Sequence, residues 1–99
     1  MIIVLGSIVA KPDSFEALRR NGLEHVHRSR AEPGCLYHSI QVDVENPMKL
    51  VFVEKWKDAA ALVAHFKVKG SIDFVTDARK LAAEPPVIEI YESSTVKLG

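Results

Sequence analysis

The sequence predicts an α+β fold of ferredoxin-like topology, in which an antiparallel sheet carries helices on one face. Strand and helix patterns follow each other in the order β-α-β-β-α-(α)-β, which is the split β-α-β arrangement. The chain has 99 residues, a length that supports one hydrophobic core. Its strands are also apolar on both faces. We therefore expect a single domain over residues 1–99 that pairs with a second copy.

The first two elements are a strand and a helix. Ile2 to Val9 is rich in β-branched residues and is followed by Lys11-Pro12, which marks a strand end. Asp13 can cap the helix, because Glu16 stands three residues later and completes a capping box. Apolar residues at helical spacing then predict one amphipathic helix as far as Arg30.

A hairpin follows the helix breaker Glu32-Pro33-Gly34. Its two strands are predicted over Cys35 to Val44 and over Lys49 to Lys57. The turn between them is predicted at Glu45-Asn46-Pro47, where asparagine and proline favour a reversal of the chain.

The rest of the chain predicts two helical segments and a final strand. Asp58 can cap a short helix, and Gly70-Ser71 interrupts the helical pattern. A further helical run follows, and its apolar side holds Ile72, Val75 and Leu81. Pro85-Pro86 ends the helices, and Val87 to Tyr91 is the last strand.

The strands lack the apolar–polar alternation expected where one face of a sheet meets water. Leu50 to Val53 is apolar on both faces, and the first strand is apolar at nearly every position. Helices on one side leave the opposite face of the sheet bare. We therefore expect a homodimer through this free sheet face, since an exposed apolar sheet would promote aggregation.

Composition excludes several classes of partner. Thirteen basic residues balance thirteen acidic ones, so no basic excess is available to neutralise phosphates and we expect no nucleic-acid partner. The single cysteine, Cys35, cannot form an internal disulfide, which favours a reducing compartment and predicts a cytoplasmic protein. The first apolar run is too short to span a bilayer, so we expect no membrane partner.

Motifs for metals and cofactors are absent. His25 and His27 are two residues apart on a helix, and therefore point about 200° apart and cannot share one ion. We expect both histidines at a solvated helix end. The chain has neither a His-x-x-x-His pattern nor a cysteine pair, and it has no glycine-rich phosphate loop. The sequence thus predicts no metal site and no cofactor.

The third strand holds the first group of candidate site residues. Phe52, Glu54 and Trp56 share one face of that strand, because strand side chains alternate with a period of two. Glu54 stands in an apolar strand, where a carboxylate needs a partner or a function because burying it alone is costly. Tyr37 on the neighbouring strand is a further aromatic candidate.

The helix after the third strand adds a candidate base. His65 lies beside the apolar position Phe66 and could border a cavity between sheet and helices. An imidazole changes its charge near neutral pH and can abstract a proton there. In the alternative interpretation, Trp56 and Phe52 belong to the core and His65 is a half-exposed helix residue, since aromatic stripes usually pack cores.

Several segments then resemble one known family in the correct order. Glu32 to Tyr37 is similar to a Glu-Pro-Gly-Cys segment, Glu54-Lys55-Trp56 to a Glu-x-Trp strand end, and Ala61 to Phe66 to an Ala-Leu-x-x-His helix. Pro86 to Tyr91 is similar to a closing strand. Together these motifs resemble the antibiotic biosynthesis monooxygenase superfamily over almost the whole chain.

This resemblance implies a dimeric α+β barrel. It also implies a cofactor-independent monooxygenase, which oxidises a small quinol- or anthrone-like aromatic with molecular oxygen and without metal or flavin. Under this hypothesis His65 handles the proton, and Glu54 is its catalytic partner. The substrate-binding residues are then expected to be Tyr37, Trp56, Phe66 and Phe52.

The chain also departs from its relatives. Gly70 stands where many members carry a second histidine. Haem-degrading members use asparagine, tryptophan and histidine where this chain has Ser7, His65 and Val75, so haem is not expected. Two alternatives stay open: an isomerase with His65 and Glu54 as acid and base, and a non-catalytic ligand-binding or stress-response dimer.

Overall fold

In the computed structural model, which describes residues 1–99, four strands form one antiparallel sheet and three helices cover one of its faces. The strands are β1 (Ile2–Val9), β2 (Cys35–Asp43), β3 (Asn46–Trp56) and β4 (Val87–Glu92). The helices are α1 (Phe15–Ser29), α2 (Ala59–Lys67) and α3 (Lys69–Leu81). The sheet order β2-β3-β1-β4 is that of a ferredoxin-like fold. The predicted fold class is thus confirmed.

The core lies between the sheet and the helices. Alternate residues of β1 and β3 point toward the helices, and the register places Val4 opposite Glu54 and Gly6 opposite Phe52. The larger apolar cluster comprises Ile8, Ala10, Leu18, Val26, Leu50, Phe52 and Ala78. A smaller cluster toward the other end of the sheet comprises Ile2, Val4, Trp56 and Leu62. The functional candidates on β3 lie where these two clusters meet.

The start of α1 differs from the prediction. Ser14, and not Asp13, occupies the position before the helix, and its side chain makes no capping bond to α1. The Ser14 hydroxyl instead donates to the carbonyl oxygen of Leu81 at 2.6 Å. This bond ties the start of α1 to the end of α3, so a contact between two helices replaces the predicted local cap.

The hairpin is tighter than predicted. β3 begins at Asn46, so only Val44 and Glu45 form the turn. The Asn46 side chain accepts a hydrogen bond from the backbone of Met48 at 3.1 Å, which helps to hold the start of β3. Pro47 sits next to the strand terminus, where a missing ladder donor costs little.

The join between α2 and α3 is shifted. The Asp58 cap is confirmed, because its carboxylate accepts a hydrogen bond from the backbone of Ala61 at 2.9 Å. The break falls at Val68, whose backbone is extended, and not at Gly70-Ser71. Ser71 and Ala78 form the buried side of α3, while Ile72 is 53% exposed. The predicted apolar side of this helix is therefore wrong at Ile72.

The face of the sheet away from the helices is apolar at its centre. Leu5 pairs with Val53, and Ser7 pairs with Val51, on this free face. Leu5 is 40% exposed and Tyr37 is 46% exposed. The structure thus contains the bare apolar face on which the expected homodimer depends, and the dimer itself stays a prediction. None of the helices has the length and apolarity required to cross a bilayer.

Candidate active site

A buried polar cluster occupies the helix-covered side of the sheet. β3 supplies Glu54 and Trp56 from alternate positions, and β2 supplies His38, which pairs with Glu54 in the register. α1 and α2 supply His25 and His65. All five side chains belong to residues that are at least nine-tenths buried. Burying so many polar groups costs stability unless they interact with each other or with a ligand.

Glu54 is the centre of this cluster. Its Oε1 accepts a hydrogen bond from the indole Nε1 of Trp56 at 2.8 Å. The same oxygen lies 3.4 Å from Nε2 of His38 and 3.9 Å from Nε2 of His65. Burial alone raises the pKa of Glu54, but the neighbouring His38, Trp56 and His65 outweigh it and hold that pKa below its usual range. Glu54 is therefore a carboxylate at neutral pH.

His65 has a fixed orientation. Its Nδ1 lies 2.9 Å from Oε1 of Glu32 and 3.4 Å from the hydroxyl of Ser71. A carboxylate only accepts hydrogen bonds, so the Nδ1 atom of His65 carries a proton and donates it to Glu32. In the neutral imidazole this leaves the lone pair on Nε2, on the side of Glu54. His65 thus has the arrangement of a general base whose tautomer is set by a second carboxylate.

His25 is buried, contrary to the expectation of a solvated helix end. It stacks on Phe74 with ring centroids 4.4 Å apart, and its Nδ1 lies 2.6 Å from Nη2 of Arg28. The pKa of His25 is lowered to about 3, first by burial and then by the nearby His38, His65 and Arg28. His25 is therefore neutral at physiological pH, whereas His27 is exposed.

The sequence contained a signal for His25 that the apolar pattern did not use. The buried side of α1 runs through Leu18, Gly22, His25 and Ser29, which recur at helical spacing. A polar residue on that side is buried because of its position. His38 is buried for the same reason, because it lies two residues before Ile40 and therefore on the same, helix-facing side of β2.

A cavity of about 330 Å³ adjoins the cluster. It lies between the sheet and α3, and His25, Glu54 and His65 form part of its wall. The rest of the wall comprises Gly6, Ser7, Ile8, Phe52, Phe66, Ser71, Phe74, Val75, Ala78, Arg79, Pro86, Val87 and Ile88. Its volume is at the lower end of the range for small-molecule sites.

The six predicted site residues divide around this cavity. Phe52, Glu54, His65 and Phe66 line it as expected. Trp56 does not line it, because the indole is completely buried and instead holds the carboxylate of Glu54.

Tyr37 lies on the opposite face of the sheet. There the ammonium group of Lys55 is 5.5 Å from the centre of its ring. His38 points toward the helices, so strand alternation directs its neighbour Tyr37 away from the cavity. The predicted contact of Tyr37 with a ligand in this cavity is therefore wrong.

Gly70 has a structural explanation. A Cβ atom at this position would collide with the guanidinium group of Arg28. The side chain of Arg28 thus fills the space where a relative could place the second histidine, and from there it contacts His25.

Comparisons with known proteins agree with this fold. The chain is 35% identical over 91 residues to "Uncharacterized protein sll1783" of Synechocystis, covering 92% of this chain and 62% of that protein. It is 31% identical over 85 residues to "Putative monooxygenase YcnE" of Bacillus subtilis, covering 86% of this chain and 90% of that protein. The chain therefore spans less than two thirds of the first relative and nearly all of the second.

Solved structures show the same architecture. PA3566 from Pseudomonas aeruginosa superposes with a TM-score of 0.85 at 28% identity, covering 95% of this chain and 94% of that chain. A structure from Deinococcus radiodurans, described as a putative antibiotic biosynthesis monooxygenase, has a TM-score of 0.93 at 22% identity, covering 99% and 97% of the two chains. The model of the family named antibiotic biosynthesis monooxygenase matches residues 1–76. This protein belongs to the antibiotic biosynthesis monooxygenase family.

Proposed function

We propose that this protein is a monooxygenase that oxidises a small quinol- or anthrone-like aromatic with molecular oxygen in the cavity beside Glu54 and His65. One observation supports this proposal most strongly. The imidazole of His65, with its Nδ1 proton held by Glu32, forms part of the wall of a cavity of about 330 Å³. Such a base can remove the proton whose loss makes an electron-rich aromatic reactive toward oxygen.

The electrons in this reaction come from the substrate. In an anthrone, a methylene carbon loses a proton to His65, and the resulting carbanion reduces molecular oxygen. Two C–H bonds break in total, one oxygen atom becomes the new carbonyl group, and the second oxygen atom leaves as water with both hydrogens. The atoms and electrons balance with molecular oxygen as the only co-reactant, so the reaction needs no cofactor to supply electrons.

The wall of the cavity suits an aromatic ligand. Phe52, Phe66 and Phe74 present ring surfaces, and they contribute to a lining that is mostly apolar. Such surroundings exclude water, which protects a reactive anion and strengthens its interaction with nearby charges. The Glu54 carboxylate lies at the polar end of the cavity, 3.9 Å from Nε2 of His65.

The presence of Glu54 and His65 at one cavity also fits a second function. Nε2 of His65 and Oε1 of Glu54 are 3.9 Å apart, so both can serve one substrate, with His65 as the acid and Glu54 as the base. An isomerase would use them to move a proton between two carbon atoms. Turnover under anaerobic conditions would distinguish an isomerase from the proposed monooxygenase, because the monooxygenase is inactive without oxygen.

Oxygen uptake with a panel of quinols and anthrones tests the proposal. We expect uptake by the wild type and a loss of about 100-fold or more in the His65→Ala variant. His27→Ala is the matched control, because His27 is an exposed histidine outside the cluster. Equal rates in wild type and His65→Ala, or no uptake with any substrate of the panel, would contradict the proposal.

We further propose that two copies pair through the free sheet face. Leu5, Val51 and Val53 form its apolar centre, and the register places Leu5 directly opposite Val53. The cavity lies on the other side of the sheet, so the partner covers the bare face without blocking the site. In a dimer the two sites would therefore face outward.

A further inference from the structure

We propose that Arg79 selects substrates that carry a carboxylate, so that the cavity takes a small aromatic acid with its acid group at the Arg79 end. Arg79 lies on α3 and forms part of the cavity wall. It is the only residue of that wall with a permanent positive charge. This selectivity rests on the proposed function, because it concerns the substrate of the same cavity.

Arg79 has no partner of opposite charge in the protein. Arg19 and Lys69, which also lie on helices, each pair with a carboxylate one turn away, at Glu16 and Asp73. No ion pair of the chain includes Arg79. The residues three and four positions away from it are uncharged, namely Val75, Thr76, Ala82 and Ala83. The charge of Arg79 is therefore free to pair with an anionic ligand.

One face of α3 connects the two ends of the cavity. Ser71, Val75 and Arg79 recur every four residues, and all three form part of the wall. The hydroxyl of Ser71 lies 3.4 Å from Nδ1 of His65. Arg79 follows eight residues later, about 12 Å further along the helix axis. α3 therefore runs along the cavity from the proposed base to the end that holds the guanidinium group.

The charges of the wall favour a carboxylate at only one of these ends. Glu54 is a carboxylate at neutral pH and forms part of the wall beside His65. A second carboxylate at that end would be repelled, and apolar surroundings strengthen the repulsion. At the other end the carboxylate meets the positive charge of Arg79. An aromatic acid is thus oriented with its reacting ring toward His65.

The shape of the guanidinium group also suits a carboxylate. The group is planar and can donate two parallel hydrogen bonds to the two oxygen atoms of a carboxylate. A neutral amide in the same place offers one oxygen acceptor and no charge. Hydrogen bonds to a charged group contribute about 10- to 100-fold in affinity.

The alternative is that Arg79 only stabilises its helix. Arg79 lies in the last turn of α3, where a positive charge interacts favourably with the helix dipole. Lys80 lies in the same turn but does not form part of the cavity wall. Both residues are exposed, so we expect their substitution to leave the fold intact. Lys80 is therefore the matched control for Arg79.

Binding of unreactive ligands tests the selectivity without any turnover. Naphthoate and naphthamide share one ring system and differ in the charge of a single substituent, and isothermal titration calorimetry measures both dissociation constants. We expect the wild type to bind naphthoate about 10-fold or more tightly than naphthamide. The variant Arg79→Gln should remove this preference, Arg79→Lys should keep part of it, and Lys80→Gln should keep all of it.

Three results of the calorimetry would overturn the proposal. The first is a wild type that binds naphthoate no more tightly than naphthamide, or binds neither ligand. The second is a preference that survives in Arg79→Gln. The third is a preference lost equally in Lys80→Gln, which would assign it to the general charge of the helix end.

Oxygen uptake separates the role of Arg79 from the oxidation itself. The substrates are dihydroxynaphthalene quinols with and without a carboxylate on the ring that lacks the hydroxyl groups. We expect Arg79→Gln to raise KM for the acid by about 10-fold, with kcat and both constants for the neutral quinol unchanged. A lower kcat with KM unchanged would contradict the role of Arg79 in selection. If neither quinol is oxidised, the proposed function fails, while the calorimetry still decides whether Arg79 selects an acid.

Discussion

Two carboxylates act on the single imidazole of His65, from opposite sides. Glu32 accepts the Nδ1 proton at 2.9 Å, and Glu54 lies 3.9 Å from Nε2. Glu32 comes from the loop after α1, and Glu54 comes from β3. At the scale of single residues, we therefore assign Glu32 a positioning role and His65 the proton transfer.

The variant Glu32→Gln tests this assignment. The amide can still accept a hydrogen bond, but it lacks the negative charge that stabilises a protonated His65 during the reaction. We expect kcat to fall by about 100-fold, while KM and the thermal midpoint change little. Glu24→Gln, at an exposed position of α1, is the control. A fall in stability with kcat unchanged would show that Glu32 is only structural.

His25 makes the stability of the fold depend on pH. Its pKa is lowered from the ordinary 6.5 to about 3 in the folded chain, so between these values the unfolded chain binds a proton that the folded chain does not. The contribution of His25 to the free energy of unfolding is fully present above pH 6.5. It is lost as the pH falls, by about 1.4 kcal/mol per pH unit.

Urea unfolding at a series of pH values between about 6.5 and 5 measures this dependence. Protonation of Glu54 acts in the same direction, but only as the pH falls below its ordinary value of 4.5. We expect His25→Asn to be less stable and to show a smaller slope of stability against pH. His27→Asn should keep the wild-type slope, and an identical slope in both variants would refute the explanation.

At the scale of elements, the loop between α1 and β2 decides where Glu32 lies. Gly34 has a φ of +83°, a left-handed conformation that side chains disfavour. A Cβ atom at this position would also lie 2.6 Å from Cβ of Ala61 on α2. Gly34 is thus required both by its backbone conformation and by the close approach of α2.

The variant Gly34→Ala should therefore destabilise the protein. We expect a loss of about 1–3 kcal/mol, from backbone strain and from overpacking against Ala61. Gly6→Ala is the control, because a Cβ atom there would meet only ordinary contacts of 3.6 Å and 3.7 Å. Thermal or urea unfolding measures both variants. Equal stability of the two would show that the loop relaxes without cost.

Sequence patterns predicted the elements better than their ends. β-Branched runs and helical periodicity located the four strands and the three helical segments, because burial of one face imposes these periods. Asp58 was also found, since its cap is local. Ser14 was not, because its hydroxyl bonds Leu81 from the far end of α3. Such contacts between distant segments leave no trace in local spacing.

The site was only partly predicted, again because contacts between distant segments cannot be read from local spacing. Glu54 and His65 could be named because a carboxylate in an apolar strand and a histidine beside an apolar helix position are unusual in themselves. His38 and His25 could be recognised only once the register of β2 and the packed side of α1 were known. Tyr37 was placed at the cavity because strand alternation was not followed across β2.

At the scale of the whole molecule, the bare face of the sheet predicts a dimer. Leu5 is 40% exposed at the centre of that face and pairs with Val53. We expect light scattering to give twice the monomer mass for the wild type and the monomer mass for Leu5→Lys, whose charge would be buried at the interface. Val63→Lys, at an exposed position on α2, should stay dimeric. A monomeric wild type would contradict the dimer.

The fate of the two oxygen atoms tests the central claim most directly. With a substrate from the quinol and anthrone panel and isotopically heavy molecular oxygen, mass spectrometry of the product counts the labelled atoms. The proposed reaction places one labelled oxygen in the product and one in water, and we expect the rate to be lost in His65→Ala and kept in His27→Ala. Unlabelled product, formed with hydrogen peroxide or without oxygen consumption, would contradict it.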